Sequence, residues 1–379
     1  MIAHLFFLLL LLILPSTNAR PPIDRGHKKQ QSPPGNPTGR GIIEQSDGVF
    51  ELKSHAEVTN SLYTVEVSVG TPPKSFLVTV DTSSRELWLP AVGCEGFGSA
   101  SERLCSNSSA LYEPFDSRTA EQVAGGGRTE NEWADPTYIT GLRYRDVVAF
   151  GNARSAHSLR LRKPAVFGAA DLLYRVDRGV LGLGLSAPSD RKKSLVEEAF
   201  GQGLLARPLF TLFFAKCPQW TDACTKGGVL TLGGCVPFPF IQWFLWREDH
   251  KNCGPVLGWA PAFSAGGSWQ LKASGLAVGR FVHRQEAIVS LDSKGPSLLL
   301  PARVLNGVLR AVGARPAKFL YFVDCKRDAL TNDFDGEQCV LDVGQAEGEE
   351  WVFGTPFFRA VCTVHDFQQR RIGFALPKP

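Results

Sequence analysis

Phe76–Pro90 reads FLVTVDTSSRELWLP: an apolar run rich in β-branched residues carries one acid, Asp81, to its end and turns through Thr82, Ser83 and Ser84 into a second apolar run. Small hydroxyl residues between two such runs predict strand, tight turn, strand. Asp81 is thereby delivered at a strand tip. Ala287–Pro301, AIVSLDSKGPSLLLP, repeats the plan around Asp292, and two strand-tip aspartates in one chain predict a carboxylate pair. Each is followed later by an apolar-apolar-Gly element, Val180-Leu181-Gly182 and Val352-Phe353-Gly354. That duplication predicts two similar lobes with a cleft between them.

Phe76–Pro90 resembles the first active-site motif of the pepsin-like aspartic proteases (peptidase A1), Asp-Thr-Gly-Ser followed by Leu-Trp-Val-Pro, and Ala287–Pro301 resembles the second. The resemblance runs from about Tyr63 to the C-terminus. GTPP (Gly70–Pro73) precedes the first motif and a Tyr-x-Pro-x-x-Ser element (Tyr112 to Ser117) follows it. GVLGLG (Gly179–Gly184), GGVLTLGG (Gly227–Gly234), WVFGTPFFR (Trp351–Arg359) and RIGFA (Arg371–Ala375) stand where that family has matching strands. NCGPVLGW (Asn252–Trp259) and WQLKA (Trp269–Ala273) look most like its nematode members. The resemblance implies an all-β, bilobal, pepsin-like fold with minor helices, occupying residues 56–379 as an N-terminal β-lobe over 56–200 and a C-terminal β-lobe over 201–379.

It also implies a chemistry. Two carboxylates within hydrogen-bond distance cannot both ionise cheaply and so share one proton; one acts as general base on a water while the other donates to the scissile carbonyl. Asp81 and Asp292 would be that dyad, supported by Thr82, Ser84 and Ser293, cleaving extended peptides. Three departures fall on the working parts. Ser83 stands where the first motif has glycine, and Lys294 where the second has glycine. Ala134, within Trp133-Ala134-Asp135-Pro136, stands where the family carries its flap tyrosine. A lysine beside the pair favours two ionised carboxylates and works against the shared proton, and its bulk would fill the cleft floor. The segment between Cys325 and Cys339 is shorter than in the family, which implies loss of a hairpin lining the cleft. An alternative register would put Ser290 at the second catalytic position and lose one acid outright. Two readings of function therefore stand side by side: a secreted aspartic endopeptidase, and a non-catalytic pseudo-peptidase that binds peptide or protein in the cleft. A structural glycoprotein with an idle cleft is a third.

The chain of 379 residues is 44% hydrophobic, with Lys+Arg 41 against Asp+Glu 37, enough for one large or two moderate cores. The positive charges are scattered, so no nucleic-acid face is expected. Residues 1–19 carry LFFLLLLLIL and the small-residue end STNA, the pattern of a secretory signal peptide. The expected location is secreted, either extracellular or the lysosomal or endosomal lumen, with no membrane attachment after signal removal and a monomeric state. Residues 20–55 form a Pro/Gly-rich propeptide or linker. In the family this position holds a propeptide whose basic residue covers the dyad, a part open to Lys28 or Lys29, although the apolar strand such a propeptide needs is missing.

Nine cysteines fit an oxidising compartment. The resemblance pairs Cys94 with Cys105 and Cys325 with Cys339; Cys217 with Cys224 is a short local loop, Cys253 with Cys362 follows nematode-type members, and Cys235 is left over. Asn107-Ser108-Ser109 is a glycosylation sequon in a Cys-bounded region. No cofactor is expected, and no cysteine or histidine cluster has metal-ligand spacing. Neither a Gly-x-Ser-x-Gly elbow nor an HExxH or phosphate-loop motif occurs. Many short strands are predicted, with helices at Ser194–Leu205 and Pro301–Ala314. Trp88, Trp133 and Trp269 read as core residues rather than ligand contacts.

Overall fold

The strand that carries Asp81 spans Lys74–Asp81 and alternates between exposed and buried only at its start; from Val78 onward every residue is buried. Continuous burial needs cover on both faces and partners on both edges. One edge pairs antiparallel with Tyr63–Val69, and the other pairs parallel with Gly179–Gly182, in a register that sets Gly182 opposite Asp81. Gly179–Gly182 in turn lies antiparallel to the strand leaving the aspartate turn, Leu87–Phe97. A Cβ on Gly182 would stand 2.4 Å from the carbonyl carbon of Arg85, so only glycine lets the strand pass so close to the turn.

The second half copies this arrangement. Ala287–Leu291 pairs parallel with Trp351–Phe353, which pairs antiparallel with Leu298–Leu300, and a Cβ on Gly354 would stand 2.3 Å from the carbonyl oxygen of Gly295. The computed structural model describes residues 50–56, 62–107, 111–125, 128–133, 137–155, 158–176, 178–190, 192–215, 227–234, 251–317, 320–324, 331–333 and 338–378. Across these the molecule is mostly β, with the bilobal pepsin-like architecture. A connecting sheet runs in the order Phe50–Ala56, Gly228–Leu232, Leu209–Phe214, Cys362–Asp366, Arg371–Pro377, Cys253–Ala265. One continuous apolar core joins residues of both halves, including Val80, Phe210, Leu291 and Phe374. His365 is enclosed in it, stacked on Phe210 at 4.4 Å, and burial pushes its imidazole down to about 3.

The helix predicted from Ser194 runs Leu195–Gly201, with Ser194 and Glu197 forming a reciprocal cap. The helix predicted from Pro301 runs Ala302–Val312; Pro301 is its N-cap rather than part of the first turn. Among the described residues two α-helices were missed, Ser99–Ser106 and Thr355–Ala360. The second lies inside WVFGTPFFR, where the expected strand is present over Trp351–Phe353 and the chain then turns, with Pro at the helix start, into Thr355–Ala360. Between Cys325 and Cys339, Thr331–Asp333 pairs with Gln338–Leu341; the rest of that segment, on which the expected loss of a hairpin falls, lies outside the described residues. No helix among the described residues is long and apolar enough to cross a membrane.

Candidate active site

The two aspartate turns meet at the centre of the molecule through a reciprocal set of hydroxyl bonds. Thr82 N–H donates to Ser293 Oγ at 3.1 Å, and Ser293 N–H donates to Thr82 Oγ1 at 3.0 Å. Each hydroxyl then donates onward to the opposite strand, Thr82 to Leu291 O at 2.7 Å and Ser293 to Val80 O at 2.7 Å. Both side chains are fully buried, so every donor and acceptor here has to be matched. The set fixes the two turns rigidly against each other, with the acids above it: Asp81 is 0% exposed and Asp292 6%.

Four donors of this chain converge on Asp81. Oδ1 accepts from Ser83 N–H at 2.8 Å and from Ser83 Oγ at 2.6 Å; Oδ2 accepts from Trp133 Nε1 at 2.7 Å and from Ser84 Oγ. A carboxylate offers about four lone-pair sites, so this set fills them. Asp292 Oδ1 accepts from the backbone N–H of Lys294 at 3.0 Å and of Gly295 at 3.1 Å, and Ser83 Oγ stands 3.3 Å from it. The Ser83 hydroxyl thus lies between the two acids. It carries one hydrogen, and the shorter contact directs it to Asp81.

Lys294 does not lie along the cleft floor as expected. Its ammonium stands 4.7 Å over the Trp133 ring and 3.2 Å from Thr137 Oγ1. It reaches from the second aspartate turn to the turn end of the ribbon formed by Thr129–Glu132 and Tyr138–Asp146. Trp133, which the sequence reading assigned to the core, does pack in an apolar cluster with Trp88, Ile139 and Val180, and its indole also contacts the site. It is buried, at 7% exposed, yet its indole N–H is spent on an aspartate. The one signal in the sequence was its place next to Ala134, which itself lies outside the described residues. Trp269 is core as expected, its N–H donated to Leu183 O. Trp88 is also fully buried, with an indole N–H that finds no partner.

Ser290, the alternative at the second catalytic position, sits in the strand before the turn. It bonds Gln270 and Glu350 instead of facing Asp81. Disulfides join Cys94 to Cys105 and Cys253 to Cys362. Cys339 is disulfide-bonded. Cys325, Cys217, Cys224, Cys235, Lys28, Lys29 and the leader lie outside the described residues. Asn107 is exposed at the C-terminal end of the Ser99–Ser106 helix.

Residues 62–337 match the family model described as eukaryotic aspartyl protease. The chain is 26% identical over 343 residues to Aspartic protease 6 of Caenorhabditis elegans, covering 83% of this chain and 81% of that one. It is 25% identical over 355 residues to renin of Canis lupus familiaris, 83% and 79% covered. With cathepsin E of Mus musculus the identity is 26% over 345 residues, again 83% and 79%.

Proposed function

Because this chain belongs to the eukaryotic aspartyl protease family, we propose that it is a secreted, peptide-binding member of that family in which hydrolysis at the Asp81–Asp292 pair is suppressed. What carries the reading is the filling of Asp81 by four donors of its own chain. A general base must accept a proton from water, and for that it needs an acceptor site facing the water. Here the indole of Trp133 and the hydroxyl of Ser83 occupy those positions. Ser83 also fills the space between the two acids in which a bridging water would be activated. Thr82, Ser84 and Ser293 keep the scaffold in shape without restoring the chemistry.

A second reading, an endopeptidase of the ordinary family type, is favoured by one observation: the reciprocal Thr82–Ser293 bonds hold both acids at buried strand tips. On that reading Trp133 withdraws and Asp81 becomes free to act with Asp292. Secretion is supported by the leucine-rich leader and by the two disulfides. The exposed Asn107 is the proposed glycan site. The lobes are proposed to divide at residues 200/201, after a leader over 1–19 and a propeptide or linker over 20–55.

Cleavage of an unfolded protein by the purified secreted form between pH 2.5 and 7, beside Asp81→Asn, separates the two readings. No turnover, together with measurable peptide binding, is expected. Turnover by the parent that vanishes in Asp81→Asn would establish the endopeptidase and end the binder reading.

A further inference from the structure

We propose that a pocket in the half of the molecule that carries Asp292, lined by Glu286, Glu349 and Glu350, receives the guanidinium of an arginine side chain from a bound peptide. The proposal rests on the peptide-binding reading of the cleft and names the class of peptide. It involves neither acid of the pair nor the ribbon that carries Trp133.

The pocket has a volume of about 860 Å³ and lies between the strand Ala287–Leu291, the first turn of the Ala302–Val312 helix and the residues leading into Trp351–Phe353. That volume falls in the range of roughly 300–1,000 Å³ typical of ligand pockets. Glu286, Ile288, Arg303 and Glu349 are exposed on its rim, so a ligand enters without any segment moving. Three acids face one cation, Arg303, whose guanidinium is engaged by the neutral Gln285 Oε1 at 2.5 Å. The carboxylates of Glu286 and Glu349 have no hydrogen bond or ion pair among the described residues. Burial, and next the charge of Arg303, holds the His283 imidazole below its ordinary range against the opposing pull of Glu349, so it adds no second cation at neutral pH. The chain as a whole carries a formal net charge of +4, which makes this excess of acid a local feature and a match for a basic ligand.

Two acceptors at the pocket wall are fixed in place. Glu350 Oε1 accepts from Gln270 Nε2 at 2.6 Å and from Ser290 Oγ, which leaves Oε2 to a ligand. Gln270 is 6% exposed, and its amide nitrogen also donates to Ser290 Oγ at 2.8 Å. Its carbonyl oxygen has no partner among the described residues, and a buried acceptor of this kind calls for a donor. Neighbouring acceptors in fixed orientations suit a planar fork of N–H donors, which is the guanidinium, better than the compact point charge of an ammonium. Ile288 and Val304 supply the apolar wall along which the stem of an arginine lies.

Ile288 stands four residues before Asp292 on one strand, roughly 13 Å at about 3.3 Å per residue. A peptide lying extended through the cleft advances by the same step. Its arginine therefore sits about four residues from the residue beside the acids.

The test uses the full secreted protein and fluorescent capped nonapeptides of alanine and serine, read by anisotropy, with one arginine four residues before or after the centre. Each is compared with the same peptide carrying citrulline, which keeps the shape and loses the charge, and with lysine. In the parent the better arginine peptide is expected to bind at least tenfold more tightly than its citrulline partner, with lysine between them. Glu286→Gln combined with Glu350→Gln changes two exposed side chains and keeps an acceptor oxygen for Gln270 and Ser290. It is expected to bring the arginine-to-citrulline ratio below threefold while the citrulline affinity stays as it was. Equal binding of the arginine and citrulline peptides by the parent, or a ratio that survives the double substitution, would overturn the proposal and leave the peptide-binding reading standing. No binding of any peptide would overturn that reading and this ligand class with it.

Discussion

Ser83 gives Asp81 two donors where a glycine gives only its backbone N–H, and Lys294 carries a side chain across to the ribbon where a glycine would carry none. The two substitutions therefore act together, one by filling the acid and the other by holding Trp133 over it. Reverting both, with Ser83→Gly and Lys294→Gly in one protein, removes one donor from Asp81 and the clamp from the indole. Acid-dependent release of new amino termini from an unfolded protein is expected to appear in the double variant and to be weaker or absent in either single one. The hydroxyl set below the acids is a matter of stability instead. Thr82→Val keeps the shape of the side chain but strands the Ser293 N–H and deprives Leu291 O of its donor. Each buried group left unpaired costs about 1–3 kcal/mol, and a fall of that size per group is expected in the unfolding free energy obtained from urea denaturation.

At the scale of elements, the two apolar-apolar-Gly strands are what allow the aspartate turns to close. Gly182→Ala and Gly354→Ala would each drive a methyl group into backbone atoms that have little room to move. Overpacking of this kind costs typically about 1–3 kcal/mol and sometimes more, and loss of soluble protein is the expected readout. Gly201, at the end of the Leu195–Gly201 helix, has nothing within 4 Å of a Cβ. Gly201→Ala is expected to stabilise the protein by roughly 0.5–1 kcal/mol in the same denaturation series. Opposite outcomes from one substitution type at the two kinds of site would separate close approach from backbone entropy.

At the scale of the whole molecule, pH acts through groups other than the two acids. His365 is held neutral down to about 3, against an ordinary value of 6.5, by burial. Between those limits the unfolded chain binds the proton and the folded one does not, so this contribution is complete above pH 6.5 and is lost progressively as pH falls toward 3. Glu198 runs the other way. Burial, and secondarily the charge of Glu197, raises its carboxyl from 4.5 to about 6, so its folded form gains the proton first and stability rises as pH falls from 6 to 4.5. The two trends oppose each other across that window, and below it His365 acts without that opposition, contributing a slope of about 1.4 kcal/mol per pH unit. Urea midpoints of the parent and of His365→Leu, measured from pH 6.5 to 3.5, are expected to differ most in their slopes below pH 4.5. Parallel curves would show that His365 is not the acid-sensitive group.

The strand-turn-strand reading around Asp81 and Asp292, the later apolar-apolar-Gly elements and the Cys94–Cys105 and Cys253–Cys362 pairs were legible in the sequence. Each is carried by a local pattern of burial or turn chemistry, or by residues that stand where the family motif puts them. The departures at Ser83 and Lys294 were legible for the same reason, since a side chain in place of glycine is visible at one position. What those side chains do was not. Lys294 and Trp133 are 161 residues apart in the chain, and no periodicity or spacing brings an ammonium over an indole or an indole to Asp81. Only the folding of two lobes around one hydroxyl set decided that. Until the lobes closed, Trp133 was one more large apolar residue, and the number of donors meeting a carboxylate is a property of the packed molecule alone.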